Sequence, residues 1–293
     1  MTALTDMLSP TFLLRDALIA SVLVGVVCPL VGVYFVLRRM IFLGVALPQL
    51  SAAGIAFSFV AYRLVVGVHE HGNLSERSLA LLGSLAFTLG GILVLTAFER
   101  RGRETVEARI GMTYAIAAAL TILFLALDPH GDAEMVNLLK GDILATTQTG
   151  LKLLGGVLGG VVVVLFAFRK EFLLVSFDRD LAVVFGKRVA LWDGLLYLMI
   201  GATISLGVMT AGPLVTFGFL VVPTLTARLV TSRMLTFSLV AAALGGVASF
   251  GGFYGAYRLD LPLGPAEVAL ASVLFAVVGG GAMLRGGTRL RAP

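Results

Sequence analysis

Few residues of this 293-residue chain have the spacing of a catalytic or metal site. Its three histidines are His69 and His71, in Val-His-Glu-His-Gly, and His130. The His-Glu-His order lacks the H-E-x-x-H spacing that puts two imidazoles of a metalloprotease on one helical face. We interpret His69, Glu70 and His71 as a solvated loop or as a loose landing site for cations. The sequence also lacks a G-x-x-x-x-G-K-[ST] phosphate loop and a G-x-S-x-G nucleophile elbow, so we expect no catalysis and no ATP hydrolysis by this chain.

Two acidic residues could serve a site within or beside a membrane. Glu267 lies just inside an apolar run, where an ionisable side chain indicates a function by default. The alternative is a first-turn glutamate that the helix dipole favours. Asp142 either lies where an outer loop re-enters the membrane or pairs with the nearby Lys140.

A charged, amphipathic stretch at residues 176–188 lies between two long apolar runs. Leu181, Val184 and Phe185 are spaced to form one apolar face of a short helix. The helix dipole favours acidic residues at a helix start and basic residues at its end. The flanking charged residues are Asp178, Asp180, Lys187 and Arg188. In an otherwise apolar chain we expect this element to lie outside the bilayer and to contact another protein; an ordinary solvated loop is the alternative.

The composition of the chain predicts the helices that position these candidate residues. The chain is 58% hydrophobic and only 13% charged, whereas soluble domains average about 25% charged residues. Apolar runs of about 20 residues predict an all-α polytopic membrane protein with eight or nine transmembrane helices in one domain, residues 1–293. The predicted spans are residues 12–37, 44–65, 78–98, 110–127, 147–168, 189–209, 212–230, 235–257 and 265–284. The division of residues 189–230 into two spans at Gly212-Pro213 requires a very short turn between them.

Basic residues are concentrated in alternate loops, which hold 16 of the 22 lysines and arginines. These residues are Arg38, Arg39, Arg100, Arg101, Arg103, Arg109, Arg169, Lys170, Arg179, Lys187, Arg188, Arg228, Arg233, Arg285, Arg289 and Arg291. By the positive-inside rule these loops, residues 176–188 and the C-terminus are predicted to be cytoplasmic, and the N-terminus outside. The net charge of +5 is thus an orientation signal, and we expect no nucleic-acid partner.

Four stretches, in order along nearly the whole chain, resemble the membrane permease subunit of the zinc, manganese and iron ABC importers. Each stretch is short, but their order and separations are specific in combination. They are residues 31–40 with Gly44, Ala46 and Leu47 (first cytoplasmic turn and start of the second helix), residues 177–182 with Gly186 (coupling helix), residues 212–229 (a helix ending in a proline and a run of small residues), and residues 260–266 (the loop before the last helix).

The resemblance implies a type II ABC importer-like permease, multi-pass in the cell (inner) membrane. Two permease copies, a homodimer in the simplest case, would pair within the lipid bilayer. Each copy would lay a short cytoplasmic helix, about 176–188 here, into a groove of an ABC ATPase subunit. The contact residues would be Phe177, Asp178, Asp180, Leu181, Ala182, Val184, Phe185 and Gly186.

The resemblance also implies a division of labour among subunits. The chain would be a transport subunit without cofactors of its own, since ATP and Mg²⁺ would bind to the partner ATPase. An extracytoplasmic metal-binding protein would deliver divalent cations. ATP-driven alternating access would then move the cations into the cell.

The chain departs from this family where its permeation ligands are expected. The family's second helix carries an Asp and, four residues on, a His, which lie on one helical face and suit zinc or manganese. The matching positions here are Val45 and Gln49. Gln49, Ser51 and Ser58 would then line one side of the path. Gln49 and Glu267 are the candidate metal ligands.

Three interpretations of this departure stay open. A divalent metal passes with different ligands, the cargo is another ion or a chelate, or the chain is a variant subunit of a heterodimer. The rival class is an ion-coupled secondary transporter, which predicts internal repeats and acidic residues in mid-helix. We find no convincing repeat, and the acidic residues lie at helix ends. An ABC exporter subunit is a third class, disfavoured because the resemblance is to importers.

Overall fold

The computed structural model describes residues 12, 14–66, 74–99, 106–127, 141 and 143–284. Every regular element in these ranges is helical, which confirms the all-α prediction. In chain order the helices are α1 (Arg15–Leu37), α2 (Leu43–Val66), α3 (Leu74–Glu99), α4 (Val106–Ala126), α5 (Gln148–Ala167), α6 (Arg169–Phe177), α7 (Arg179–Val184), α8 (Val189–Val230), α9 (Met234–Leu259) and α10 (Leu263–Leu284), with a 3₁₀ turn at Ile143–Ala145.

Eight of these helices are long and apolar enough to cross a membrane; the short α6 and α7 are the exceptions in the described ranges. The bounds of the eight long helices agree with the predicted spans to within a few residues. The agreement is expected because a helix satisfies its own backbone hydrogen bonds, which lipid cannot do, so each long apolar run becomes a continuous helix.

Each of the other long helices corresponds to one predicted span. Helix α8 differs because it extends over 42 residues and covers two predicted spans. A straight helix of that length would be about 63 Å long, roughly twice the ~30 Å thickness of the hydrocarbon layer. Gly212 interrupts it with φ 83° and ψ 165°, a conformation that is essentially restricted to glycine. Pro213, which has no amide hydrogen, begins the next arm.

The two arms of α8, residues 189–211 and 213–230, bend sharply towards each other at this break. A Cβ atom on Gly207 would lie 2.9 Å from Cγ2 of Thr216. Residues nine apart in a straight helix are instead about 13.5 Å apart. The predicted division at Gly212-Pro213 is therefore confirmed, and the described chain has nine apolar helical segments.

One face of the bundle collects the end of α1, both ends of α8 and the start of α9. Val33, Ala227 and Phe237 pack together there, and the Arg228 guanidinium lies 5.8 Å from the centre of the Phe237 ring. Arg38 lies on the same face and pairs with Asp193 near the start of α8. We call this the basic face.

The opposite face collects the start of α1, the break in α8 and the turn between α9 and α10. The Phe12 and Tyr257 rings meet edge to face with 5.6 Å between centroids, and Gly264 packs on Val215. Helix α10 begins on this face and approaches the basic face, where a Cβ atom on Gly279 would lie 3.6 Å from Leu229. The described chain therefore begins and ends on opposite faces. That the basic face is cytoplasmic stays a prediction from the positive-inside rule.

Glycines let the helices approach closely at two crossings of α1. A Cβ atom on Gly32 would overlap the Leu220 carbonyl, and one on Gly245 would overlap the Gly25 carbonyl. Small residues at such crossings are typical of helices that pack in lipid. Gly160 of α5 differs, because a Cβ atom there would meet nothing within 4 Å in the described structure.

The break at Gly212 provides a test of the fold. Gly212→Ala should destabilise the detergent-solubilised protein by about 1–3 kcal/mol, because a side chain does not tolerate this backbone conformation. The measurement is the midpoint of thermal unfolding. Gly255→Ala is the matched control, since an added Cβ atom at Gly255 meets nothing within 4 Å and its φ is not positive. Equal midpoints for the two variants would contradict the assigned conformation.

Candidate functional site

The amphipathic stretch at 176–188 folds as the end of α6, the short helix α7 and a turn. Asp178 is the N-cap of α7, and its side chain accepts a hydrogen bond of 2.9 Å from the Leu181 amide. An aspartate at this position satisfies one of the amides that the first helical turn leaves unpaired. Asp180 lies in the first turn, where negative charge suits the helix dipole.

Gly186 ends α7 with a left-handed backbone, φ 70°. The Gly186 amide donates to the Val183 carbonyl at 2.9 Å, and the Lys187 amide donates to the Ala182 carbonyl at 2.9 Å. This pair of bonds is a Schellman motif, which stops a helix at a glycine. Both ends of α7 are thus fixed by local hydrogen bonds, although the helix is only six residues long.

The predicted apolar face of α7 is exposed. Leu181 is 42% exposed, Val184 80% and Phe185 65%, whereas Ala182 on the other side is fully buried. Phe177 and Val183 extend the exposed apolar surface. We call Phe177, Leu181, Val183, Val184 and Phe185 the α7 patch. It lies beside Arg179, Lys187 and Arg188, so a lipid-facing position is unfavourable and a protein partner suits it.

Helix α7 is tied to the bundle by ion pairs that sequence reasoning missed. Asp193, one turn into α8, accepts from Arg38 Nη2 at 2.7 Å and from Arg179 Nη2 at 2.9 Å, using a different carboxylate oxygen for each. At the far end of α7, Lys187 Nζ lies 3.5 Å from Glu171 of α6. The signal in the sequence was Asp193 itself, an acidic residue near the start of an apolar run, which could have indicated an ion pair.

A buried polar cluster joins α1, α9 and α10. Glu267 is fully buried, and its Oε1 accepts a hydrogen bond of 2.5 Å from the Ser21 hydroxyl. The Ser21 and Ser249 hydroxyl oxygens lie 2.6 Å apart. The second carboxylate oxygen, Oε2, has no partner in the described part of the chain. The prediction had singled out Glu267 but neither serine, because both serines are distant in sequence and lie in ordinary apolar runs.

The candidate path residues of α2 differ in their surroundings. Gln49 is half-buried, as is Val45 one turn earlier. Ser51 is buried, and its hydroxyl lies 2.6 Å from that of Ser84 in α3. Ser58 donates back to the Gly54 carbonyl at 2.8 Å. Ser51 is thus engaged in a helix–helix contact, and the role of all three polar residues in a path stays a prediction.

The two candidate metal ligands, Gln49 and Glu267, are not brought into one cluster. The second arm of α8 lies between their helices, since Gly44 of α2 packs on Val221 and Gly218 packs on Val268 of α10. Within the described residues no group of three or more His, Cys, Asp or Glu could hold a metal ion. The candidates Asp142, His69, Glu70 and His71 lie outside the described residues.

Comparison with known proteins agrees with this architecture. A family model described as the ABC 3 transport family matches residues 11–279. The chain is 26% identical over 264 residues to the manganese import system permease protein ScaB of Streptococcus gordonii, covering 90% of this chain and 89% of that protein. It is 27% identical over 262 residues to a probable iron transport system membrane protein of Haemophilus influenzae, covering 89% and 87%.

Two solved structures share the fold. PsaBC from Streptococcus pneumoniae, in complex with Fab, superposes with a TM-score of 0.79 at 24% identity, covering 95% of both chains. An inward-facing putative metal-chelate type ABC transporter superposes with a TM-score of 0.68 at 16% identity, covering 91% of this chain and 85% of that chain.

The fold and the comparisons define the class first: a multi-pass helical protein of the cell membrane, of the ABC permease type. The chain belongs to the ABC 3 transport family. The resemblance inferred from four short stretches is therefore confirmed. The match extends over nearly the whole chain, so it includes α7 and the α7 patch.

The caps of α7 can be tested without any partner. Asp178→Ala removes the side-chain acceptor for the Leu181 amide and should destabilise the helix by about 1 kcal/mol. Amide hydrogen exchange over residues 179–184 should accelerate by about fivefold, since 1 kcal/mol is a factor of about five in an equilibrium. Asp178→Ser, which keeps an acceptor oxygen, is the control and should exchange nearly as the wild type does. Equal exchange in the Ala and Ser variants would show that the cap does not hold α7.

Proposed function

We propose that this chain is the permease subunit of an ABC importer that moves divalent metal cations, of the manganese or iron class, into the cell. The observation that carries the proposal is the α7 patch, an exposed apolar surface on a short helix capped at both ends, in a member of the ABC 3 transport family. The names of the curated relatives, a manganese permease and a probable iron transport protein, support the cargo class.

The α7 patch suits an ATPase groove for physical reasons. Leu181, Val184 and Phe185 share one side of the helix and are exposed, whereas Ala182 is buried. Burying such a face in an apolar groove is a recurrent mode of helix recognition. Each fully buried side chain of this kind contributes about 1.5–3 kcal/mol.

The work of transport is then divided among subunits. ATP and Mg²⁺ bind to a separate ATPase, whose closure moves α7, and an extracytoplasmic binding protein delivers the cation to the opposite face. The central path forms between two copies of this chain in the homodimer that we propose. The two states of the path are inward-open and outward-open, and ATP binding shifts the population between them.

A metal chelate is the second candidate cargo. Val45 offers no ligand, and Gln49 offers only a neutral amide. A cargo that carries its own ligands would need fewer from the protein. The solved structure titled as a putative metal-chelate type transporter shares the fold, which makes the alternative compatible with this architecture.

The ATPase contact can be tested with charge insertion. Leu181→Glu or Phe185→Glu should abolish co-purification with the ATPase subunit, because a carboxylate would be buried against an apolar groove at a cost of several kcal/mol. The measurement is the amount of ATPase retained on the tagged permease, normalised to the permease in the membrane fraction.

Leu235→Glu is the matched control for this experiment. Leu235 is 44% exposed, close to the 42% of Leu181, and it lies near the basic face but outside the α7 patch. It should retain the ATPase. Unchanged ATPase association in both α7 variants would remove the coupling assignment from α7.

The cargo can be tested with the whole complex in proteoliposomes. ATP added on the ATPase side should drive uptake of Mn²⁺ or Fe²⁺, each assayed alone with the wild type. Gln49→Ala removes one neutral oxygen ligand and should slow uptake of the accepted cation by about fivefold, the factor that corresponds to about 1 kcal/mol. Glu267→Gln, which keeps the shape and the bond to Ser21 but removes the charge, should slow it as well.

Thr96→Ala serves as the control, because the Thr96 hydroxyl bonds back to the carbonyl of Ile92 in its own helix. It should transport at the wild-type rate. Wild-type rates with both cations in Gln49→Ala and Glu267→Gln would take these two residues off the path. Uptake of neither cation, with the ATPase still bound, would favour the chelate.

A further inference from the structure

We propose that Asp193 is the joint through which movement of α7 reaches the membrane-spanning helices. The inference rests on the proposed ATPase contact at the α7 patch, and it assigns a positioning role to Asp193, Arg38 and Arg179. These residues come from three separate segments: the turn after α1, a position one turn into α8 and the start of α7.

The Arg38 side chain is held on several sides. Its Nη2 donates to Asp193 at 2.7 Å, its Nε to the Ser176 hydroxyl at 3.1 Å and its Nη1 to the Tyr197 hydroxyl at 3.3 Å. Its guanidinium carbon also lies 5.4 Å from the centre of the Tyr197 ring. A planar guanidinium with several fixed donors holds its partners in one geometry. Arg38 thus locks the end of α1 to the start of α8 and to the end of α6.

The pair between Arg38 and Asp193 is largely buried, whereas Arg179, the other partner of Asp193, is mostly exposed. The exposed fractions of the side chains are 7% for Arg38, 14% for Asp193 and 56% for Arg179. A buried, multiply bonded pair is costly to separate. An exposed pair contributes only about 0.2–1 kcal/mol, so it can open and close. Asp193 therefore combines a fixed bond to the bundle with an adjustable bond to α7.

The other ion pair described for the segment after α6 does not reach a spanning helix. Lys187 reaches Glu171, which belongs to the short helix α6 and not to a spanning helix. Ala182 is buried, but a methyl group can slide against its neighbours without losing a directed bond. The bond from Arg179 to Asp193 is directed and reaches α8 one turn after its start. Through Arg38 the same carboxylate reaches α1. A displacement at the first residue of α7 would thus be felt by two spanning helices.

Arg179→Ala is the variant that tests the joint, because Arg179 is mostly exposed and the fixed pair between Arg38 and Asp193 stays intact. The complete complex, with its ATPase, is reconstituted in proteoliposomes with Mn²⁺, or with Fe²⁺ where the wild type takes up that ion instead. The readouts are ATPase retained, ATP hydrolysed and cation taken up. We expect normal ATPase binding and about a two- to fivefold fall in cation taken up per ATP, the size expected of an exposed ion pair.

Two further variants separate the joint from general charge effects. Arg188→Ala removes an exposed arginine at the other end of the same segment, and it should keep the wild-type uptake per ATP. Arg179→Lys keeps a cation that can reach Asp193 and should recover most of the ratio. A structural role alone would alter the yield or the thermal midpoint of the complex and leave the uptake per ATP unchanged.

The outcomes are distinct. Wild-type uptake per ATP in Arg179→Ala would overturn the joint while leaving the proposed function in place. Loss of ATPase binding in Arg179→Ala, or an equal fall in Arg188→Ala, would likewise overturn it, because the residue would then act as a contact or as general surface charge. A wild-type complex that binds no ATPase would overturn the proposed function and the joint together.

Discussion

The bundle depends on how closely α1 approaches its neighbours. Lipid is as apolar as the side chains of a spanning helix, so burial of apolar surface drives helices together much less than it does in water. Close van der Waals contact between the helices must therefore provide much of the driving force for their association. Gly25 and Gly32 allow this contact, because the backbone of α9 at Gly245 and of α8 at Leu220 comes so near that no side chain would fit. Most of α1 is buried as a result.

The central position of α1 also explains where its polar contacts lie. Near its start, Ser21 bonds to Glu267 of α10 and meets Ser249 of α9. Just after its end, Arg38 bonds to Asp193 of α8 and to Ser176 of α6. Between these two points the Thr224 hydroxyl of α8 donates to the Pro29 carbonyl at 3.2 Å, and the rest of the helix is packed mainly by apolar and small residues. Helix α1 therefore has a directed side-chain bond near each of its ends.

The α7 patch has a different physical origin from the bundle. It is fixed by local bonds, namely the Asp178 cap and the Schellman motif at Gly186, and its apolar side chains have no covering partner within the described chain. The same segment carries basic residues that keep it out of lipid. The proposed ATPase contact would give this combination a function in a member of the ABC 3 transport family.

Local features were predictable from the sequence alone. Hydropathy defined the spans, Gly212-Pro213 marked the break in α8, and the spacing of Leu181, Val184 and Phe185 defined an apolar face, because each depends on residues within a few turns of one another. The contacts that join these elements were decided by the tertiary structure. Arg38 and Asp193 are 155 residues apart, and Ser21 and Glu267 are 246 apart. No periodicity encodes such pairs, because only the packing of distant helices brings a serine in one apolar run against a glutamate in another.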